Sequence, residues 1–203
     1  MVIGKTKQIS NGVKPDIRFL NDMKEVLYDR KWADHASNFE LYYMYRGVKN
    51  KNELRYDITV IPPLMLGQEF VKTKGHAHQE AYGEVYIVLA GQAFYLLQKY
   101  AGNKIEDVYA VKAKKGDVVV IPAGYGHITI NPSKKETLKE ANWVCKACQN
   151  VYDSFVEKQG ASYYFTTKGW IKNKKYGKIP KLRFAKPLKA MPKNLDFLYG
   201  KNN

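Results

Sequence analysis

Gly116-Asp117-Val118-Val119-Val120-Ile121-Pro122-Ala123-Gly124-Tyr125-Gly126-His127-Ile128-Thr129-Ile130-Asn131 is the stretch on which the fold turns. Its first half, Asp117 to Ile121, is a short β-branched run of the kind that packs inside a sheet. Pro122 has no N–H for a strand ladder, and Pro-Ala-Gly is turn chemistry. A second apolar run, His127 to Ile130, then begins on a histidine. The same texture recurs on both sides. Tyr42 to Val48, Arg55 to Ile61, Glu84 to Leu89, Gln92 to Gln98 and Ile105 to Val111 read as strands. Glu140 to Val144 and Ser162 to Thr166 are less regular candidates. Gly, Asn, Pro and Lys-Lys breaks separate these runs. Short strands joined by turns, with few helices between them, predict an all-β sandwich or barrel.

One helix is predicted, from Arg18 to His35. Phe19, Leu20, Met23, Val26 and Leu27 recur there at helix-like intervals behind Asp16, a suitable N-cap. The expected organisation is an N-terminal helical layer over 1–40, a β-barrel over 41–166 and a basic C-terminal tail over 167–203 packed on the domain. No repeat of solenoid period interrupts it.

The chain has 203 residues, 45% of them hydrophobic and 13% aromatic, which suffices for one domain with a real core. No stretch approaches the roughly 20 apolar residues of a membrane helix. Met1 to Asn11 carry no apolar run before a small-residue cleavage site, so no secretory leader, no membrane partner and a cytoplasmic location are expected. The formal charge of +15, from 34 basic and 19 acidic residues, attracts anions such as nucleic acid or phosphorylated metabolites. Much of the excess falls late, at Lys172, Lys174, Lys175, Lys178, Lys181, Arg183, Lys186, Lys189 and Lys193. These alternate with Pro and Gly without a helical period, as in a solvated, extended tail, so no nucleic-acid partner is expected. Cys145 and Cys148 form a C-x-x-C with no second pair to complete a zinc knuckle, and read as two ordinary reduced cysteines.

The chemistry concentrates in four histidines, His35, His76, His78 and His127. His35 sits among polar residues at the end of the predicted helix and reads as a surface group. His76 and His78 are spaced i, i+2, so in a strand both imidazoles leave the same face and converge on one point. Glu84, opening the next predicted strand, adds a carboxylate, and His127 a third imidazole. Such a set suits one divalent ion, with Fe, Mn, Zn, Ni and Co all compatible. Thr73 and Gly75 carry the opposite parity to His76 and His78. A bulge or kink near Gly75 is therefore predicted if both sets are to face inward.

Two motifs carry a family resemblance. Gly116, Pro122, Gly124, His127 and Asn131 match every position of the second motif of the cupin superfamily. His76, His78, Glu84 and Gly91 resemble the first, with one extra residue before Glu84 and Phe70 where a glycine is usual. The string Thr73-Lys74-Gly75-His76-Ala77-His78, with Gly83-Glu84-Val85-Tyr86, is similar to the cupin-type glucose-6-phosphate isomerases of archaea and some bacteria. The likeness runs from about Tyr42 to Tyr152. It implies a double-stranded β-helix, or jelly-roll barrel, with one divalent metal ion (Fe, Mn, Zn or Ni) held by His76, His78, Glu84 and His127. It further implies that Thr59, Thr73 and Gly75, helped by Tyr42, bind the phosphate of a phosphorylated hexose, and that Tyr86 and Tyr152 line the sugar pocket. A homodimer is expected by the same analogy.

The activity implied is interconversion of glucose-6-phosphate and fructose-6-phosphate, a step of glycolysis and gluconeogenesis. Hydrogen would move between C1 and C2 either through an enediol, with Glu84 as ligand and catalytic proton shuttle, or by a hydride shift that needs no base. Another cupin metalloenzyme, such as a dioxygenase or a different sugar-phosphate isomerase or epimerase, is the first alternative. A non-enzymatic sugar-binding cupin is the second. The donor set Thr59, Thr73 and Gly75 separates the isomerase reading from an oxygenase of apolar substrates.

Overall fold

The computed structural model describes residues 12–79, 81–102 and 104–200. The leaderless reading of Met1 to Asn11 falls outside the described residues. Strands β1 to β8 are Asp16–Phe19, Glu40–Lys51, Leu54–Ile61, Met65–Leu66, Glu69–Phe70, Ala77–His78, Glu84–Ala90 and Gln92–Ala101. Strands β9 to β16 are Lys104–Lys114, Val118–Ile121, Tyr125–Ile130, Leu138–Cys145, Asn150–Val151, Tyr163–Thr166, Gly169–Lys172 and Arg183–Ala185. Among the described residues, two short α-helices, α1 (Arg30–His35) and α2 (Asp153–Glu157), and four 3-10 turns complete the regular structure. Among the described residues no helix is long and apolar enough to cross a membrane.

Two sheets form the barrel. One has six strands in the order β1-β2-β3-β12-β7-β10, the other four in the order β11-β8-β9-β16. Neighbours far apart in sequence, such as β3 with β12 and β12 with β7, are the long crossings of a jelly roll. Alternation sets the two faces of each strand. On β7, Tyr86 and Val88 enter the main core with Tyr95, Leu97, Ile121 and Ile128, while Val85 packs outward with Leu54, Val118 and Cys145. β13-β6 and β15-β14-β5-β4 form two smaller sheets.

The N-terminal segment corrects the sequence reading. Asp16–Phe19 is a strand that pairs with β2, not the opening of a helix, and Leu20–Asp22 and Lys24–Val26 are single 3-10 turns. Among the described residues of this segment only Arg30–His35 is α-helical, capped by the Asp29 carboxylate, which accepts from the Trp32 N–H at 3.0 Å. The periodic apolar residues are nonetheless core: Leu20, Met23, Val26 and Leu27 are fully buried. Successive tight turns bury every third or fourth residue as a helix does, and the open edge of β2 offers hydrogen bonds that a helix could not take.

The basic tail is more structured than a solvated strap. β16 joins the four-stranded sheet in parallel with β9, and Arg183 clasps Asp107 through two nitrogens, at 3.0 and 2.6 Å. Further on, Leu198 is fully buried on the outer face of the six-stranded sheet, and Gly83 N–H donates to Phe197 O at 2.8 Å. The lysines of the tail stay largely at the surface, as do Phe184 and Leu188, while Tyr176, Ile179 and Leu198 are buried.

Candidate metal centre and anion cradle

β6, β7 and β11 bring the predicted ligands together. His76 exchanges backbone hydrogen bonds with His127 across the sheet, His78 closes β6, and Glu84 opens β7 with its side chain inward. The imidazole Nε2 atoms of His127, His78 and His76 lie 3.2, 3.5 and 4.0 Å from Glu84 Oε2. Candidate ligand atoms of His76, His78 and Glu84 are all within 4.8 Å of one another. His78 Nδ1 meets the Tyr82 carbonyl at 2.9 Å, which places the ring proton there and leaves Nε2 its lone pair. That Nε2 and Glu84 Oε2 are both buried without a hydrogen-bond partner. Two orphaned electron-pair donors facing each other fit a cation between them. Glu84 Oε1 is held separately by Asn142 Nδ2, at 2.5 Å.

Burial and mutual proximity set the charges of these four groups. Burial holds the imidazoles of His76 and His127 toward the neutral form. Burial also opposes the Glu84 carboxylate, yet the neighbouring imidazoles of His127 and His78 outweigh that and keep it ionised. Burial opposes the charged form of His78, but the nearby Cys148 and Glu84 outweigh it and raise the imidazole, so Nε2 gives up a proton when it ligates a cation. Cys145 and Cys148 are both free thiols.

The predicted bulge is present. Lys72 pairs with Ile130 and His76 with His127, so four residues on one strand advance against three on the other. Gly75 absorbs the surplus at φ +84°. Thr73 N–H donates to Thr129 O at 2.9 Å, and Thr73 Oγ1 accepts from Thr129 N–H at 3.0 Å. Tyr42 Oη accepts from the Lys74 N–H at 3.1 Å. One cleft is walled by Tyr42, Thr59, Thr73, Gly75, Tyr86 and Tyr152 together with His76 and Glu84. The Tyr86 hydroxyl stands 3.2 Å from His127 Nε2, and the Tyr152 ring 5.9 Å from that of His76. His35 lies on α1, outside this group, with an exposed side chain.

Several wall residues escape the sequence reading: Arg18, Arg46, Arg55, Asp57, Glu140 and Asn142. Asp57 accepts from Arg55 Nε at 2.9 Å and from Gly47 N–H at 2.7 Å, and lies 3.6 Å from Arg46. Their signal was present as parity. Arg55, Asp57 and Thr59 alternate along β3, and Glu140 and Asn142 along β12, so polar residues occupy inward positions of buried strands.

A β-barrel of two sheets whose mouth holds converging imidazoles and a carboxylate defines the cupin class. A family model described as glucose-6-phosphate isomerase matches residues 18–181. The glucose-6-phosphate isomerase of Pyrococcus furiosus is 32% identical over 130 residues, 61% of this chain and 66% of the relative. That of Thermococcus litoralis is 31% identical over 134 residues, 63% of this chain and 68% of the relative. Among solved structures, tomato vicilin superposes with a TM-score of 0.43 at 17% identity, over 59% of this chain and 33% of vicilin. The protein belongs to the glucose-6-phosphate isomerase family, and its match to the Pyrococcus furiosus protein spans 66% of that relative's length.

Proposed function

We propose that this protein isomerises glucose-6-phosphate to fructose-6-phosphate with one divalent metal ion held by His76, His78, Glu84 and His127. The observation that supports this most is the shared cleft: His76 and Glu84 of the ligand cluster open on the same space as Thr59, Thr73 and Gly75. When bound, the cation supplies Lewis-acid stabilisation of the negative charge that develops on the sugar oxygens. An imidazole and carboxylate set accepts Fe, Mn, Zn or Ni.

The chain's own groups do the rest. Thr59, Thr73 and the Gly75 N–H donate to the phosphate, and Arg18 and Lys74 add positive charge at the same wall. This remote grip orients C1 and C2 toward Glu84. Glu84 takes the C2 proton and returns it to C1, while Asn142, bonded to Oε1, fixes the angle of the carboxylate. Tyr86 and Tyr152 bound the sugar. The protein acts as a cytoplasmic homodimer paired through barrel faces, in glycolysis and gluconeogenesis, with the phosphorylated hexose as its partner.

The test is a coupled assay of the metal-reconstituted protein on glucose-6-phosphate and mannose-6-phosphate, before and after chelation. Activity on the first, lost on chelation and restored by a divalent metal, is expected. A reconstituted protein inactive on both sugars would end the proposal.

A further inference from the structure

The cleft contains a second acid that the chemistry at Glu84 does not employ. Glu140, on β12, pairs with Thr59 of β3 on one side and Val88 of β7 on the other. It is 1% exposed, and it lines the cleft. The Tyr95 hydroxyl donates to Glu140 Oε2 at 2.5 Å, and Thr129 bonds the same carboxyl. Thr129 is also the residue whose N–H donates to Thr73 Oγ1. Glu140 therefore touches both arms of the cradle, Thr59 by strand pairing and Thr73 through Thr129. The groups acting on it are Tyr95, Thr129 and the Glu84 carboxylate, and none of them is a cation.

An ionised Glu140 would share the cleft with a phosphate dianion and repel it, since Arg18, Arg46, Arg55 and Lys74 line the same cleft but none of them is among the groups acting on the Glu140 carboxyl. A neutral carboxylic acid in the same place would instead offer an O–H donor. We propose that Glu140 is a substrate-binding acid that stays protonated, donates a hydrogen bond to the phosphate gripped by Thr59 and Thr73, and expels the substrate when it ionises. This rests on the reading of the cleft as a phosphosugar site.

The surroundings favour the neutral form. Burial is the largest influence and pushes the carboxyl up to about 8; the bonds from Tyr95 and Thr129 pull it down, and the charge of Glu84 pushes it up again. Tyr95 from β8 and Thr129 from β11 bond it, Thr59 of β3 and Val88 of β7 flank it, and Glu84 and Tyr86 of β7 line the same cleft. Tyr86 and Tyr95 are raised well above the usual phenol range by burial, so both stay neutral in mildly alkaline solution. The second pKa of a phosphate monoester is about 6, so between pH 7.5 and 9.5 the ligand stays a dianion.

Calorimetric titration of glucose-6-phosphate into the metal-reconstituted protein at those two pH values tests the idea at fixed salt. The neutral fraction of an acid titrating near 8 falls about 25-fold over that interval, and the wild-type Kd should rise by the same factor. Glu140→Gln, whose amide donates at both pH values, should change less than about threefold. Tyr95→Phe removes a bond that favours the charged form, and should move the loss of affinity to higher pH. Wild-type protein that binds no glucose-6-phosphate at either pH would overturn the phosphosugar reading itself. Wild-type binding equally tight at both, or a Glu140→Gln protein that weakens as steeply, would overturn the role of Glu140 alone. Should Glu140→Gln fail to fold, a Tyr95→Phe protein whose affinity falls at the same pH as wild type would overturn it instead.

Discussion

Replacing Gly75 with alanine isolates the structural device that unites the two halves of the site. The residue sits at φ +84°, and an added Cβ would lie 2.5 Å from Ile128 Cγ2 and 2.7 and 2.8 Å from Phe155 Cδ1 and Cε1. A left-handed alanine costs about 1–2 kcal/mol. Phe155 is fully buried and Ile128 nearly so, so neither can swing aside, and overpacking adds about 1–3 kcal/mol. Gly124 is the natural control, because its φ is +77° but nothing lies within 4 Å of its Cβ position. Gly124→Ala should therefore show only the backbone cost. Urea unfolding of both variants should place Gly75→Ala about 1–3 kcal/mol below Gly124→Ala, the share due to packing. Because the same bulge turns Thr73 and His76 to one cleft, Gly75→Ala should also lose phosphosugar affinity and metal together. Two variants equal in stability to within about 0.5 kcal/mol would refute the packing argument.

His76→Ala and His127→Ala should each lose bound metal by elemental analysis, with the backbone fold retained by circular dichroism; full metal occupancy would remove that residue from the ligand set. Thr73→Val removes a phosphate donor as well as the acceptor of the Thr129 N–H, so KM for glucose-6-phosphate should rise at least tenfold, with Thr73→Ser restoring most of it; unchanged KM in the valine variant would detach Thr73 from phosphate. Lys72 and Glu69 form an ion pair at 2.5 Å with each side chain 1% exposed, and Lys72 Nζ also donates to Val26 O at 2.8 Å. Lys72→Met should destabilise by about 3–5 kcal/mol because it strands the Glu69 carboxyl, and Lys72→Met with Glu69→Leu should recover part of this; a single variant as stable as wild type would show that the pair does not tie the N-terminal turns to the barrel. Turnover in deuterium oxide should place solvent deuterium at C1 of the product, as expected if Glu84 carries the C2 proton. Complete retention of substrate hydrogen would favour a hydride shift.

Much of this architecture was legible before any coordinates, for a definite reason. The barrel strands announce themselves because each must alternate or stay apolar to face a core, and Pro and Gly must mark their turns. Gly75 could be assigned a bulge from parity alone, since a two-residue repeat cannot turn Thr73 and His76 to the same side without an extra residue. Spacing likewise limits where His76 and His78 can point, because only i and i+2 share a strand face.

What the linear order could not supply is adjacency between distant segments. An apolar period of three to four in Leu20–Leu27 is common to a helix and to consecutive tight turns, and only the free edge of β2 decided for strand and turns. The tail's lysines concealed Leu198 and the β16 pairing, which depend on an apolar face and a strand edge elsewhere in the molecule. Glu140 and Asn142 look like ordinary polar residues of an irregular strand until β12 is laid between β3 and β7. Sequence thus determines which faces and turns each segment prefers, since these follow from local sterics and period. Tertiary structure alone determines which faces meet, because burial and electrostatic coupling arise from through-space neighbours.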